Sequence, residues 1–212
     1  MRTLKELVLG AGLACLIASG CSMNYISFER YCPNSPLVVV SDGLFSGDAR
    51  SFFKKFSRKE NLPYLGEDNV CWFKNKQAIQ EAKTNGREII LVGYSAGCDQ
   101  VRLTAEWCKE NNIPVRIIFF DPTYLSLSNG NSIPENVRSI SNYLSQRNIA
   151  DIVAIGKGRE IRKTDLRNPN TEYSNYELEG PHLGIFNNNQ PRLKKDLVLL
   201  MNLSAASCGA SK

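Results

Sequence analysis

The 212-residue sequence predicts an α/β fold, with a mainly parallel central sheet and helices on both of its faces. Three observations predict it. Several strand-length runs are apolar throughout rather than alternating, as strands buried on two faces must be. Helix-like stretches separate those runs. A turn bracketed by glycines joins the clearest strand to the clearest helix. Apolar residues make up 42% of the chain, ordinary for a domain with a real core, and neither repeats nor a second domain are visible.

Leu37-Val38-Val39-Val40 reads as a buried central strand that runs into the turn Ser41-Asp42-Gly43. A helix follows over Ala49 to Lys59, with Phe52, Phe53 and Phe56 on one face. Leu62 to Leu65 and Val70 to Phe73 suggest a weaker strand region, edge-like because Pro63 cannot donate to a ladder. Gln77 to Lys83 reads as a short helix. Glu88 to Val92 is a β-branched apolar run, followed by Gly93 to Gly97 and a helix over Cys98 to Lys109 that spaces Val101, Ala105 and Cys108 along one face. Asn111 and Asn112 close it. Val115 to Phe120 is the next strand and ends at Asp121-Pro122. Residues 123–134 read as a loop, Val137 to Ile140 and Ile152 to Ile155 as further strands, and 156–180 as polar and mostly irregular. Pro191 can open a last helix to Asn202, with Leu193, Leu197 and Leu200 inward.

The chemistry centres on Gly93-Tyr94-Ser95-Ala96-Gly97. G-x-S-x-G is a weak signal by itself, but here it lies between a buried strand and a helix, where a nucleophile elbow belongs. The sharp turn strains the serine backbone, and the two glycines let strand and helix approach. Ser95 Oγ is thereby placed at the carboxyl end of the sheet, and the helix N-terminus offers positive partial charge to an oxyanion. A serine hydroxyl needs a base. The one histidine, His182, stands in Glu179-Gly180-Pro181-His182-Leu183-Gly184, between the last strand candidate and the closing helix. Its place after the serine suits the hydrolase order. A single histidine leaves no histidine-rich metal centre, and no cofactor is expected. The acid is expected to be Asp121, just past a strand's carboxyl end, with Asp151 and Asp165 as alternatives. For the oxyanion, Ala96 N–H is one expected donor and Leu44 N–H the other. Leu44, Phe45, Tyr94 and Tyr124 are candidates for lining an acyl pocket, with 123–134 and 156–180 as the loops long enough to shape it.

From Leu37 to about Asn202 these pieces resemble small exported bacterial α/β-hydrolases of lipase-like or thioesterase-like kind. The resemblance rests on Gly43-Leu44-Phe45, Ile90 to Gly97, Phe120-Asp121-Pro122, Ile133 to Arg138 with Asn142-Tyr143, and the Gly-Pro-His-Leu loop. It implies the α/β-hydrolase fold and a Ser95–Asp121–His182 triad that cleaves an ester or thioester through an acyl-enzyme. Asp42 departs from the histidine that many such proteins carry before the oxyanion glycine. The alternative function is a catalytically silent member of the fold, acting as a binding or accessory factor of the envelope.

The first twenty residues carry Arg2, Lys5 and an apolar stretch from Leu7 to Ser19, too short to span a bilayer and suited to a signal peptide. Ala18-Ser19-Gly20-Cys21 resembles the lipobox of bacterial lipoproteins. The resemblance implies cleavage before Cys21, acylation of that cysteine and, with Ser22 next, an outer-membrane anchor facing the periplasm. The expected organisation is therefore a signal at 1–20, a lipid-anchored linker at 21–35, the hydrolase domain at 36–203 and a tail at 204–212. Export exposes cysteines to oxidation. Without Cys15 and the acylated Cys21, five cysteines are left, an odd set. Cys98 and Cys108 on one helix are too far apart to pair with each other, and the pairing expected among the rest is Cys32 with Cys71. The net charge of +5 is dispersed. It reads as solvated surface, or as weak attraction to anionic lipid, and no nucleic-acid partner is expected.

Overall fold

The computed structural model describes residues 27–43, 48–67, 72–122, 132–146 and 160–201. The elements run β1 (Leu37–Ser41), α1 (Asp48–Lys59), β2 (Tyr64–Glu67), α2 (Trp72–Thr84), β3 (Ile89–Tyr94), α3 (Gly97–Glu110), β4 (Val115–Phe120), β5 (Val137–Ser145), β6 (Glu172–Leu178), α4 (Ile185–Asn188) and α5 (Gln190–Leu200). The six strands form one sheet in the order β2-β1-β3-β4-β5-β6, and every neighbouring pair is parallel. The chain moves from β1 outward to β2, then returns past β1 to lay down β3 and continue the other way. That reversal creates a crevice between the carboxyl ends of β1 and β3, the place where open α/β sheets hold ligands.

Wholly apolar strands follow from the two covered faces. In β1, Leu37 and Val39 join one core while Val38 and Val40 join the other. Ile89 and Leu91 of β3 face the first, Ile90, Val92 and Tyr94 the second. The first core is covered by α2 through Ile79 and Ala82 and by α3 through Val101, Ala105 and Cys108. The second is covered by α1, α4 and α5 through Phe52, Phe53, Phe56, Phe186, Leu193 and Leu197. Burying each large side chain of this kind stabilises by about 1.5–3 kcal/mol, so the period-3.6 faces of these helices are what fix them on the sheet.

Two stretches differ from expectation. Trp72 and Phe73, expected in a strand, instead open α2, which extends well before Gln77; Val70 and Cys71 lie outside the described residues. A four-residue apolar run cannot separate a strand from a first helical turn. Within the stretch expected to be polar and mostly irregular, residues 160–180 hold a strand that was not foreseen, β6, and a 3₁₀ turn at Lys163–Asp165. Among the described residues β6 is an edge strand with mostly exposed side chains, so it carries no apolar pattern. Its backbone pairs with β5 from Ser139 to Ser145, and Tyr176 stacks on Tyr143 at 4.8 Å. β5 also runs five residues beyond Ile140. β2 is the opposite edge, as Pro63 suggested. The expected strand at Ile152 to Ile155 lies outside the described residues, as do Asp151, Leu44, Phe45 and Tyr124.

The segment before β1 is fastened to the amino-terminal end of the sheet. Arg87, two residues before β3, is buried, and its guanidinium donates to the carbonyls of Cys32 (2.6 Å), Phe28 (3.0 Å) and Ser35 (3.0 Å). It also lies over the Phe28 ring, itself part of the core. From Ser27 onward, the stretch expected to be a linker is thus packed on the domain. Cys32 is disulfide-bonded, while Cys98 and Cys108 are free and buried on α3, as their spacing required. The pairing of Cys32 with Cys71 falls outside the described residues.

Candidate active site

Gly93 and Gly97 bracket the turn because neither position has room for a side chain. A Cβ on Gly93 would lie 2.8 Å from Cys98 Cα, and one on Gly97 only 2.2 Å from the Ser41 carbonyl oxygen. The second contact draws the start of α3 onto the end of β1. Between the glycines, Ser95 has φ 53°, the left-handed region that L-residues avoid. The sequence predicted this strain from the turn type. Ser95 N–H donates to Phe120 O at 3.0 Å, continuing the β3–β4 ladder one residue past the strand. Cys98 N–H and Asp99 N–H donate to Ser95 O and Ala96 O, which leaves the N–H groups of Ala96 and Gly97 at the very start of α3.

Asp121 repeats the same device on the next strand. It follows β4, has φ 48°, and its N–H donates to Tyr143 O at 2.7 Å. Its carboxylate is buried and accepts from three groups. His182 Nδ1 lies 2.5 Å from Oδ2, the Ser145 hydroxyl donates to the same oxygen at 2.6 Å, and Ser145 N–H reaches Oδ1 at 3.5 Å. A carboxylate can only accept, so Nδ1 carries the hydrogen and Nε2 remains as the basic nitrogen.

His182 begins a short 3₁₀ turn, His182–Gly184, reached from β6 through Gly180 at φ 89° and Pro181. Buried Asn189 braces this loop from below. Its amide donates to Glu179 O (2.7 Å) and Ile185 O (2.9 Å), and its oxygen accepts Glu179 N–H (3.2 Å). Tyr94 holds the loop from the side. Its ring stacks on the imidazole with centroids 4.8 Å apart, and its hydroxyl donates to His182 O at 2.7 Å. The residue before Ser95 thus binds the histidine loop to the elbow. Tyr94 is almost fully buried beneath the histidine, so it does not line a pocket as the sequence suggested.

On the β1 side, Gly43 is pressed against Ser95: a Cβ there would lie 2.9 Å from Ser95 Cβ and 3.4 Å from its Oγ. Asp42, where a histidine was the usual expectation, is buried and bridges two elements. Oδ1 accepts Gly43 N–H at 3.1 Å and Oδ2 accepts Arg50 N–H at 3.2 Å, in the first turn of α1. An acidic side chain suits the positive end of a helix. It also pins both ends of the segment that contains Leu44.

Asp121 and His182 are therefore in contact, Ser95 lies at the same end of the sheet, and all three are buried. Asp165 does not join them. Its carboxylate accepts Arg162 N–H at 2.8 Å, and its carbonyl accepts Ile133 N–H ahead of β5, at the sheet's amino-terminal end. Sequence reasoning missed Ser145 and Asn189. Ser145 was hidden because β5 was expected to stop at Ile140, and nothing in the local sequence marks Asn189.

No protein-family model matches this sequence, and no curated protein does. Solved structures do share its fold over most of the chain. An esterase from Pyrobaculum calidifontis superposes with a TM-score of 0.56, over 97% of this chain and 94% of its own, at 11% identity. Human thioesterase 2 gives 0.52 over 83% of this chain and 99% of its own, at 12% identity. The RedJ thioesterase of the Streptomyces coelicolor prodiginine pathway gives 0.52 over 88% and 98%, at 10% identity. The architecture is the α/β-hydrolase fold.

Proposed function

We propose that this α/β-hydrolase-fold chain is a serine hydrolase that cleaves carboxylic ester or thioester bonds through an acyl-enzyme. One observation carries the proposal: the 2.5 Å contact between His182 Nδ1 and Asp121 Oδ2, beside a serine held at φ 53° in the switch-point crevice. Fold neighbours that are esterases and thioesterases agree with it.

In this proposal His182 Nε2 takes the Ser95 proton as Oγ attacks the acyl carbonyl. Asp121 keeps the imidazole in its Nδ1–H tautomer and stabilises the cation that forms. The proton then passes from Nε2 to the departing alcohol or thiol, and the bond from the acyl carbon to that group breaks. Water, deprotonated by His182, attacks the acyl-enzyme and releases the acid and free Ser95. Ala96 N–H is the oxyanion donor offered by the start of α3, with Leu44 N–H proposed as the second; losing one such donor typically costs about 3 kcal/mol.

The same proposal includes export, with cleavage of residues 1–20, acylation of Cys21 and an outer-membrane anchor facing the periplasm. It rests on the lipobox-like Ala18-Ser19-Gly20-Cys21. A fluorophosphonate probe should label the wild type and fail on Ser95→Ala and His182→Ala. Equal labelling of wild type and Ser95→Ala would refute the assignment of Ser95 and favour the silent binding role.

A further inference from the structure

The amino-terminal segment and the candidate site occupy opposite poles of the sheet. Ser27 lines a cleft together with Arg87, Glu81 and Asn85, at the amino-terminal end of β3 and the end of α2. Arg87 grips the carbonyls of Phe28, Cys32 and Ser35 at this pole, and Phe28 is buried in the core beneath it. Ser95, Asp121 and Gly43 all follow the carboxyl ends of their strands, and His182 follows β6. In an all-parallel sheet these ends are the same pole for every strand. From Arg87 to Ser95 the extended chain rises about 3.3 Å per residue, which separates the poles by about 26 Å.

We infer that the anchored protein stands with the amino-terminal pole of its sheet on the membrane and its candidate site facing away, so that it acts on water-soluble acyl esters or thioesters and not on lipids of the bilayer that carries it. This rests on the proposed serine hydrolase and on acylation of Cys21. The reach of the tether decides it. Cys21 precedes Ser27 by six residues, which span at most about 21 Å when fully extended. If the mouth of the site lay flat on the bilayer, Ser27 would have to stand about 26 Å above the surface, beyond that reach. A tilted domain brings the rim of the site nearer without turning its opening into the lipid. Phe28, buried in the core, and the carbonyls gripped by Arg87 keep the chain from lengthening the tether by peeling away from the domain.

The test reads orientation and turnover separately, on full-length protein acylated in its host and reconstituted in phosphatidylethanolamine–phosphatidylglycerol vesicles. Asn85→Cys marks the amino-terminal pole and Gln146→Cys, just past β5, marks the site pole; both positions are exposed. Each is labelled with an environment-insensitive fluorophore, and the chain without the added cysteine, with Cys98 and Cys108 buried, reads any label taken up by its own cysteines, which is subtracted. A nitroxide on the lipid headgroup should quench most of the emission at position 85 and leave position 146 bright. Equal quenching at the two positions, or stronger quenching at 146, overturns the inference. No quenching at either overturns it together with the anchor.

In the turnover arm the protein meets a water-soluble p-nitrophenyl ester, a fluorogenic ester lipid in its own vesicles, and the same lipid in separate vesicles. Hydrolysis of the soluble ester with no advantage for the lipid of its own vesicle supports the inference, and faster cleavage of that resident lipid overturns it. Failure of the hydrolase proposal looks different: no turnover of any substrate and no fluorophosphonate labelling, with the quenching pattern still deciding the orientation.

Discussion

Replacing Ser145 by alanine removes one hydroxyl from the candidate site, and the structure sets the scale of the loss. That hydroxyl donates to Asp121 Oδ2 at 2.6 Å, the oxygen that also holds His182. Ser145 is buried, so water does not readily replace it, and the remaining Ser145 N–H contact at 3.5 Å is too long to compensate. A hydrogen bond to a charged group is worth about 1.5–3 kcal/mol. For a protein of this size each kcal/mol lowers Tm by roughly 2–4 °C, so calorimetry should show a drop of about 3–12 °C. The carboxylate is left with less to orient it, and its hold on the imidazolium weakens. Losing about 1.4 kcal/mol of that support slows kcat about tenfold on a p-nitrophenyl ester. KM should not move, because Ser145 bonds the acid and not the substrate. Ser145→Thr keeps the hydroxyl and should recover most of kcat. Wild-type kcat and Tm in Ser145→Ala, or a loss that appears in KM alone, would refute the role assigned to this contact.

Tyr94→Phe removes the 2.7 Å bond to His182 O while keeping the ring stack. It should cost about 1–3 kcal/mol of stability by chemical denaturation and slow fluorophosphonate labelling; an unchanged labelling rate would show that the elbow does not hold the histidine loop. Gly97→Ala places a methyl 2.2 Å from the Ser41 carbonyl, so the elbow must shift from β1 at a cost of about 1–3 kcal/mol or more, and a wild-type Tm with wild-type labelling would contradict that contact. Burial pushes the Cys108 thiol up to about 12 and raises Cys98 well above the ordinary range. Thiolate is the reactive form, so at pH 8 iodoacetamide should leave both unmodified in the native protein and alkylate both after denaturation, as mass spectrometry of peptides would report. Arg87→Met strips the donors from four carbonyls, and limited proteolysis should then cut within residues 27–35, which the wild type should resist.

The fold was legible because its strongest signals are non-local consequences written locally. Leu37–Val40 and Ile89–Val92 are apolar throughout because both faces of those strands are covered, and the Phe52-Phe53-Phe56 stripe marks the face that covers one of them. β6 was illegible for the opposite reason. It is held by backbone pairing at an edge, and Glu-Tyr-Ser-Asn-Tyr-Glu-Leu has no buried face to advertise. The candidate site divides in the same way. Ser95, Asp121 and His182 stand out by residue type at strand ends, whereas Ser145 depends on where β5 stops, and Asn189 acts only through a loop that closes in space. The elbow glycines fall between these cases. Their pattern was visible, but the carbonyl of Ser41 that makes Gly97 necessary comes from a strand more than fifty residues earlier.

The matching positive φ angles at Ser95 and Asp121, each with its N–H bonded to the neighbouring strand, have a consequence for how such a protein can diversify. The two residues form the last rung of the sheet's ladder, so their amide protons should exchange with solvent as slowly as those of the core, and they can move only if the sheet itself opens. On the proposed function, the choice of substrate would then fall to the connecting segments and not to these two residues. Insertions and substitutions there can therefore retune what is accepted, generation after generation, while the reacting atoms keep their positions.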